Sequence, residues 1–429
     1  MIPMFSRNTK RIMGFKRFRS TNFNRYFSST LDRRQKYIGM TGGRIIYEKL
    51  LENNVKVANG FSGGANLPIL DCFHPFHHNG KTPIEFITNS NEGNTGYVAE
   101  GYAKVSGEPG IIMVTSGPGL TNIITPLQDA LCDGVPLVAF SGQVTQNAPP
   151  DAFQSCDSVD LTRPCTKWNY KLKCIEELPT ILDYAFHMAR SGRPGPVHID
   201  CPKDIQVTTL TEEHLDNFKK INIDGLDHHL NDEGNLEFNK IHEIPELNDF
   251  QLDTIVDLIN KSEKPILSVG QGVNDCSKEL LEFVEKTNIP ITTTLHSLGS
   301  FDERHPLALN MIGMHGHPTP NFMIQEADLI LAVGSRFDDR TVGKLSSFAI
   351  NARNSEKKGK GGIVHVDIRP TEKDRVVKVT EFVHSDCKTF LTEMNKKNAV
   401  KYVSRLEAGG GTYALPALIH GMRQAGEIG

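Results

Sequence analysis

Short apolar runs alternate with helical patterns along most of the chain. From Gly42 onward, each apolar run leads into a glycine-rich turn and then into a segment with apolar residues at helical spacing. Such runs are typical of strands in a parallel sheet that helices cover on both faces. The strand-like runs of the first half are 56–61, 84–87, 110–115, 136–142 and 196–201. The pattern predicts a doubly wound α/β domain at residues 37–205.

The same alternation returns after a polar segment. Residues 206–247 are rich in Asn and Asp and lack periodicity, which is typical of a linker between domains. The later strand-like runs are 265–270, 289–295, 327–334 and 361–368, with a helical pattern at 277–287. We therefore expect a second doubly wound α/β domain at residues 248–395, followed by a divergent helical tail at 396–429.

The first 36 residues differ in composition from the rest. Residues 1–31 contain seven Lys or Arg and no acid. This composition predicts a mitochondrial transit peptide and a matrix location, with a disordered basic arm as the alternative. Without these seven charges the formal net charge of −4 becomes about −11, which argues against nucleic acid as a partner. No apolar run approaches the roughly 18 residues of a membrane span.

The eight cysteines are scattered along the chain and form no CxxC pair. They are expected to be free thiols in a reducing compartment, and a zinc site is not expected. No metal ligands are assigned in this chain.

Three glycine-containing turns of the first domain directly follow predicted strands. They are GFSGG at 60–64, TSGPG at 115–119 and SGQV at 141–144. Each alone is more often a tight turn, but three at one sheet edge favour a cofactor site, because ligands of open parallel sheets bind beyond the carboxyl ends of the strands. The glycines expected to approach a cofactor are Gly63, Gly64, Gly117 and Gly119.

Glu92 follows the run 84–87 at the same predicted edge and opens a helical segment. A carboxylate there can be a helix cap or a partner of the helix dipole. It can also be a functional group of a cofactor site. Spacing alone leaves both interpretations open.

Many stretches of the chain resemble one family. From Gly39 to about Val383 the sequence is similar to the catalytic subunit of acetohydroxyacid (acetolactate) synthase, a thiamine-diphosphate enzyme. The resemblance implies condensation of pyruvate with pyruvate or 2-ketobutyrate, with loss of carbon dioxide, in branched-chain amino acid biosynthesis. The matching stretches include GFSGGANLPI, NEGNTGYVAEGYAKVSGEPG, TSGPGLTNIITP, DAFQ, RPCTKWN, SGRPGPVHIDCPKD, NMIGMHG and GSRFDDRTVGK.

The resemblance also assigns catalytic roles. Glu92 is expected to hydrogen-bond the N1′ atom of the cofactor's aminopyrimidine and to exchange a proton with it. Gln154, with Phe153, is expected to line the substrate approach, and Lys167 to lie near it. Arg340 is expected to engage the acceptor's carboxylate. Outside the family, these residues would be a surface Gln, a core Phe, a solvated Lys and an ordinary ion pair.

By the same resemblance, the second domain is expected to bind FAD in a structural role. As a dinucleotide fingerprint, the sequence after residue 269 is weak, because Asp275 occupies the place of the third glycine. His315 alone would more often be a packed histidine. The residues expected to line FAD are Gly270, Gly272, Thr294, Leu295, Gly313, Met314, His315, Gly316, Gly334, Arg336, Asp338, Arg340, Asp367 and Ile368.

Some positions depart from the family. Asn91 and Gly93 replace a histidine and a glutamine, and Pro149 and Pro150 stiffen the loop before Phe153. The family's third domain, which binds the diphosphate through Mg²⁺, is expected to be missing, because the sequence contains no GDG motif. Mg²⁺ is therefore expected only through a partner chain.

Three accounts follow. The chain is a working synthase subunit of which this sequence is a piece, or a paralogue that joins full-length synthase chains as a homo- or hetero-oligomer. A regulatory subunit is a further expected partner. The third account is a flavin-binding scaffold. We expect that the isolated chain does not make acetolactate.

Overall fold

The computed structural model describes residues 34–218 and 244–397. The chain divides into two compact units, with the boundary between Glu243 and Ile244. The predicted transit peptide up to residue 33, the middle of the predicted linker at 219–243 and the tail from residue 398 lie outside the described residues.

The first unit contains a six-stranded parallel sheet in the order β2-β1-β3-β4-β6-β5. Three of these strands, β3, β4 and β6, are buried along their whole length, which explains their mainly apolar sequences. The strands are β1 Val57–Gly60, β2 Glu85–Thr88, β3 Gly110–Val114, β4 Leu137–Gln143, β5 Trp168–Lys171 and β6 Pro196–Pro202.

Helices cover both faces of this sheet. Successive residues of a strand point to opposite faces, so they pack against different helices. Ile111 and Met113 belong to one apolar cluster, whereas Ile112 and Val114 belong to another. The helices are α1 Gly42–Glu52, α2 Leu67–Asp71, α3 Glu92–Ser106, α4 Pro118–Asn122, α5 Ile124–Asp133, α6 Ser158–Thr162, α7 Leu178–Arg190, α8 Lys203–Val207 and α9 Glu212–Phe218.

The packed part of the first unit continues past the predicted boundary at residue 205. Thr209 bridges Thr41, and the backbone N–H of Leu210 donates to the carbonyl of Met40 at 2.9 Å. The Leu210 side chain is fully buried in the core. The start of the predicted linker is therefore part of the first unit.

The second unit also contains a six-stranded parallel sheet, in the order β12-β11-β10-β7-β8-β9. Its strands are β7 Pro265–Val269, β8 Ile291–Thr293, β9 Ala308–Met311, β10 Leu329–Val333, β11 Gly362–Asp367 and β12 Glu381–His384. Its helices are α10 Asp249–Lys261, α11 Ser277–Thr287, α12 Pro318–Glu326, α13 Asp339–Val342, α14 Ile350–Glu356 and α15 Cys387–Lys396.

The second sheet is also covered on both faces. Leu329 and Leu331 pack into one apolar cluster, whereas Ile330 and Ala332 pack into another. The predicted fold class, two parallel-sheet α/β domains, is confirmed for the described residues.

Candidate cofactor site

The carboxyl ends of β1, β2 and β3 meet at one edge of the first sheet. In the register of this sheet, Gly60 lies beside both Thr88 and Met113. The loops that follow these three strands carry the glycine turn 61–66, Glu92 and the turn 115–119. The structure thus brings the glycines and the carboxylate predicted from the sequence to one sheet edge.

The loop after β1 is held in shape by one asparagine. The Asn66 side chain accepts from the backbone N–H of Gly63 at 2.9 Å and donates to the carbonyl of Phe61 at 3.1 Å. Gly63 packs on the Thr115 side chain, so a Cβ there would have no room. At Gly64, in contrast, no heavy atom lies within 4 Å of the position that a Cβ would take. Gly64 therefore faces open space at this edge.

The loop after β3 contacts the loop that carries Gln154. Gly117 has a φ of +57°, and an added Cβ would lie 2.8 Å from the Gln154 carbonyl oxygen. Gln154 itself has a φ of 61°, in a region that non-glycine residues seldom adopt. Phe153 beside it is 86% exposed, so it is not a core phenylalanine. Residues 153 and 154 therefore lie at the same edge as the glycine turns.

Glu92 is the first residue of α3, but it does not cap this helix. Asn91 is the N-cap, and its side-chain oxygen accepts from the Gly93 N–H at 2.8 Å. The Glu92 carboxylate instead reaches α4, where its Oε2 accepts from Asn122 Nδ2 at 2.9 Å. An added Cβ at Gly119 would lie 3.7 Å from Glu92 Oε1. The carboxylate is half-buried and lies beside a glycine of the predicted cofactor turn.

Lys167 lies at the opposite edge of this sheet. It precedes β5, and its backbone N–H donates to the carbonyl of Pro196, the first residue of β6. Its ammonium donates to the carbonyls of Met188 and, at 2.7 Å, Ser191, at the end of α7. Cations at a helix C-terminus satisfy its last carbonyls. The structure does not bring Lys167 together with Glu92, so we do not assign it a role in substrate binding.

A buried polar network at the ends of β4 and β6 was missed by the sequence reasoning. It joins Ser141, Gln143, Ser158, His198 and Asp200, all of which are at least 98% buried. Burial raises the pKa of the Asp200 carboxyl, and it lowers the pKa of His198 to about 3. The signal in the sequence was the polar residues inside the apolar runs 136–142 and 196–201.

The residues expected to line FAD all follow or end strands at the carboxyl edge of the second sheet. Gly270, Gly272 and Gly334 pack on one another: a Cβ at Gly270 would lie 2.3 Å from the Gly334 oxygen, and one at Gly272 would lie 2.8 Å from the Gly334 Cα. These three glycines are therefore required for the close approach of two strand ends. Leu295 and Met314, at the same edge, are 62% and 60% exposed.

Arg340 contacts the segment that contains Met314. The backbone N–H of Met314 donates to the Arg340 carbonyl at 2.7 Å, and Gly313, with a φ of +110°, packs on the same carbonyl. The Arg340 side chain is about two-thirds exposed, and its Nε lies 3.9 Å from Asp339 Oδ2. The guanidinium is accessible because the side chain is exposed, and an exposed ion pair at this distance contributes little to stability.

Within residues 34–218 and 244–397, no group of three or more His, Cys, Asp or Glu side chains is arranged to hold a metal ion. Over the same ranges, no helix is both long and apolar enough to cross a membrane.

Two family models match the two units. Residues 40–161 match the thiamine pyrophosphate enzyme N-terminal TPP binding domain, and residues 252–394 match the thiamine pyrophosphate enzyme central domain. A solved structure, the thiamine diphosphate-dependent 4-hydroxybenzoylformate decarboxylase of Rhodococcus jostii, aligns with a TM-score of 0.65 at 20% identity, over 83% of this chain and 62% of that one. The chain belongs to the thiamine pyrophosphate enzymes.

Within this family, the chain is a relative of acetolactate synthase catalytic subunits. It is 41% identical to the mitochondrial acetolactate synthase catalytic subunit of Saccharomyces cerevisiae over 84% of this chain and 51% of that protein. It is 42% identical to the mitochondrial acetolactate synthase of Schizosaccharomyces pombe over 82% of this chain and 51% of that protein. The chain thus spans about half the length of these relatives.

Proposed function

We propose that this chain serves acetolactate synthase chemistry by providing the pyrimidine-binding half of a thiamine-diphosphate site. The reaction is the condensation of pyruvate with a second pyruvate or with 2-ketobutyrate, with loss of carbon dioxide, in branched-chain amino acid biosynthesis. The observation that carries the proposal is the position of Glu92: its carboxylate lies beside Gly119, while Asn91 supplies the helix cap.

Glu92 is the proton-transfer group in this proposal. When bound, thiamine diphosphate supplies the electron sink for decarboxylation and carbon–carbon bond formation. The Glu92 carboxylate holds and returns a proton at the N1′ atom of the aminopyrimidine ring. Asn122 fixes the orientation of the carboxylate through its hydrogen bond to Oε2. Gly64 leaves room at the edge where a ring would lie.

The substrate is proposed to approach past the loop at residues 144–157. This loop places the exposed Phe153 and the partly buried Gln154 at the glycine edge, where Gln154 contacts Gly117. An aromatic ring and an amide there would contact the apolar and carbonyl parts of a small 2-keto acid. Arg340, whose guanidinium is accessible, is proposed to bind the acceptor's carboxylate.

The site is proposed to be completed by another chain. The exposed side of α3, the helix that Glu92 opens, carries Tyr97, Val98 and Val105, which are 46%, 43% and 77% exposed. Apolar residues at this spacing on one helix face are typical of an interface. We infer assembly with synthase chains as a homo- or hetero-oligomer, with Mg²⁺ and the diphosphate held by the partner chain. A regulatory subunit is a further expected partner.

The second unit is proposed to bind FAD. Support comes from the exposed apolar side chains Leu295 and Met314, and from Arg336, at the sheet edge where ligands of such folds bind. A mitochondrial location is proposed because both fungal relatives are mitochondrial and residues 1–31 are basic and free of acids.

A complementation experiment tests this function. The chain is co-expressed with the Saccharomyces cerevisiae catalytic subunit, in which the glutamate matching Glu92 has been replaced by glutamine. Acetolactate formation from pyruvate is measured with thiamine diphosphate, Mg²⁺ and FAD. We expect activity with this chain and none with its Glu92→Gln variant.

Three results decide whether this proposal stands. Co-purification of the two chains, with activity that depends on Glu92, supports the proposal. Activity that is equal with Glu92 and with glutamine at this position contradicts it, as does co-purification without any acetolactate. Flavin absorbance of the purified chain, lost in Arg336→Ala, tests the FAD assignment separately.

A further inference from the structure

We infer that Asp200 is a positioning residue, which fastens both ends of the loop at residues 144–157 and so sets the positions of Phe153 and Gln154. The inference rests on the proposed function for the role of these two residues. The attachment of the loop itself rests on the geometry of the first unit.

Asp200 accepts hydrogen bonds from three side chains. Ser141 Oγ donates to Oδ1 at 3.0 Å, Gln143 Nε2 donates to Oδ2 at 3.2 Å, and Ser158 Oγ donates to Oδ2. All four residues are at least 98% buried. A buried carboxylate is costly unless it is hydrogen-bonded, and here every contact is with a donor.

Two of these donors lie at the two ends of the loop. Gln143 is the last residue of β4, immediately before the loop, and Ser158 is the first residue of α6, immediately after it. Gln143 also donates to the Cys156 carbonyl at 3.1 Å and accepts from the Val144 N–H at 3.0 Å. One carboxylate thus joins the beginning of the loop to its end.

His198 contacts Ser141, which donates to the same carboxylate. Its Nε2 lies 2.8 Å from Ser141 Oγ, and its Nδ1 lies 3.1 Å from Thr162 Oγ1. Ser141 donates to Oδ1 of Asp200, whereas Gln143 and Ser158, which lie at the two ends of the loop, both donate to Oδ2.

Ser158 and Ser141 therefore provide a matched pair of variants. Ser158→Ala and Ser141→Ala each remove one buried hydroxyl that donates to Asp200, but only Ser158 adjoins the loop. Amide hydrogen exchange of residues 144–157 is measured in the full chain, together with chymotrypsin cleavage after the exposed Phe153. We expect Ser158→Ala to increase exchange and cleavage about tenfold and Ser141→Ala to leave both nearly unchanged.

Asp200→Asn is a second variant of nearly the same shape, and it replaces an acceptor by a donor. We expect it to loosen the loop at least as much as Ser158→Ala. Equal exchange of the loop in Ser158→Ala and Ser141→Ala would overturn the inference. So would a loop that stays as protected in a folded Asp200→Asn chain as in the wild type.

The two proposals fail in different ways. Loop exchange does not require acetolactate formation, and Glu92→Gln is expected to leave it unchanged. In the complemented enzyme, Ser158→Ala is expected to raise KM for pyruvate more than it lowers kcat. A faster-exchanging loop with an unchanged KM would overturn the positioning role, while leaving the case for Glu92 as it stands.

Discussion

The side-chain amide of Asn122 donates to the carboxylate of Glu92 across 2.9 Å, joining the end of α4 to the start of α3. The two residues follow different strands, and they meet because β2 and β3 both end at the same edge of the sheet. The hydrogen bond holds the carboxylate away from its own helix. This orientation distinguishes Glu92 from a capping residue.

Removing this hydrogen bond should reduce turnover. Asn122→Ala leaves Glu92 without the donor that fixes its orientation, and hydrogen bonds to charged groups contribute about 1.5–3 kcal/mol. We expect kcat of the complemented enzyme to fall about tenfold or more. Thr121→Ala, a change at the neighbouring exposed position, is the control and should change kcat less than twofold. Equal effects of the two changes would show that the contact has no catalytic importance.

The cap of α3 should be worth a measurable amount of stability. Asn91→Ala removes the acceptor of the Gly93 N–H, and loss of an Asn cap costs about 1 kcal/mol. Urea unfolding should show this decrease, whereas Asn91→Asp should retain most of the stability. Asn94→Ala, at an exposed position in the first turn of the same helix, should cause no decrease, because alanine has the higher helix propensity.

A substitution at Gly64 can distinguish a packing role from a ligand contact. Its surroundings are open in the protein alone, so Gly64→Ala should not lower the free energy of unfolding. If thiamine diphosphate approaches this backbone, the added methyl group should weaken its binding about tenfold or more in the complemented enzyme. Binding equal to that of the wild-type chain would remove Gly64 from the site.

The buried His198 should make the first unit sensitive to acid. Its pKa is about 3 in the folded chain and about 6.5 when unfolded, so the unfolded chain binds more protons between these values. Protonation of His198 in the unfolded chain lowers the free energy of unfolding as pH falls from about 6.5 to 3, by at most about 5 kcal/mol. Asp200 opposes it, because its pKa is raised and protonation favours the folded state.

Two histidine variants separate the contribution of His198 from that of the other titratable groups. His198→Asn should flatten the fall of the unfolding free energy between pH 6.5 and 4, relative to the wild type. His74→Asn, at an exposed position, should leave the slope unchanged. If His198→Asn and the wild type lose stability in parallel, the buried imidazole is not the cause.

The sequence predicts the central strands of both sheets well, because strands buried on both faces are mainly apolar. The three strands that the pattern missed, Trp168–Lys171, Ala308–Met311 and Glu381–His384, all lie at sheet edges. Edge strands are partly exposed and therefore carry mixed polar and apolar residues. Their sequences do not differ clearly from those of loops.

The missed strand at Trp168 also explains the misplacement of Lys167. A residue that precedes a parallel strand lies at the edge opposite the loops that follow the strands, and this could not be inferred without recognising the strand. Glu92 and Gly119 were placed correctly at one edge by the order of strands and helices. The hydrogen bond between Glu92 and Asn122 depends on side-chain directions, which the pattern of the sequence does not specify.

The most direct test of the account is the effect of Glu92→Gln on acetolactate formation in the complemented enzyme. Glutamine keeps the shape of the side chain and can still accept from Asn122, but it cannot exchange a proton with the cofactor. General acid–base groups contribute about 100-fold or more. Glu85→Gln, at an exposed position of β2, is the matched control. We predict a loss of at least about 100-fold for Glu92→Gln and full activity for Glu85→Gln, whereas equal activities in the two variants would contradict the role of Glu92.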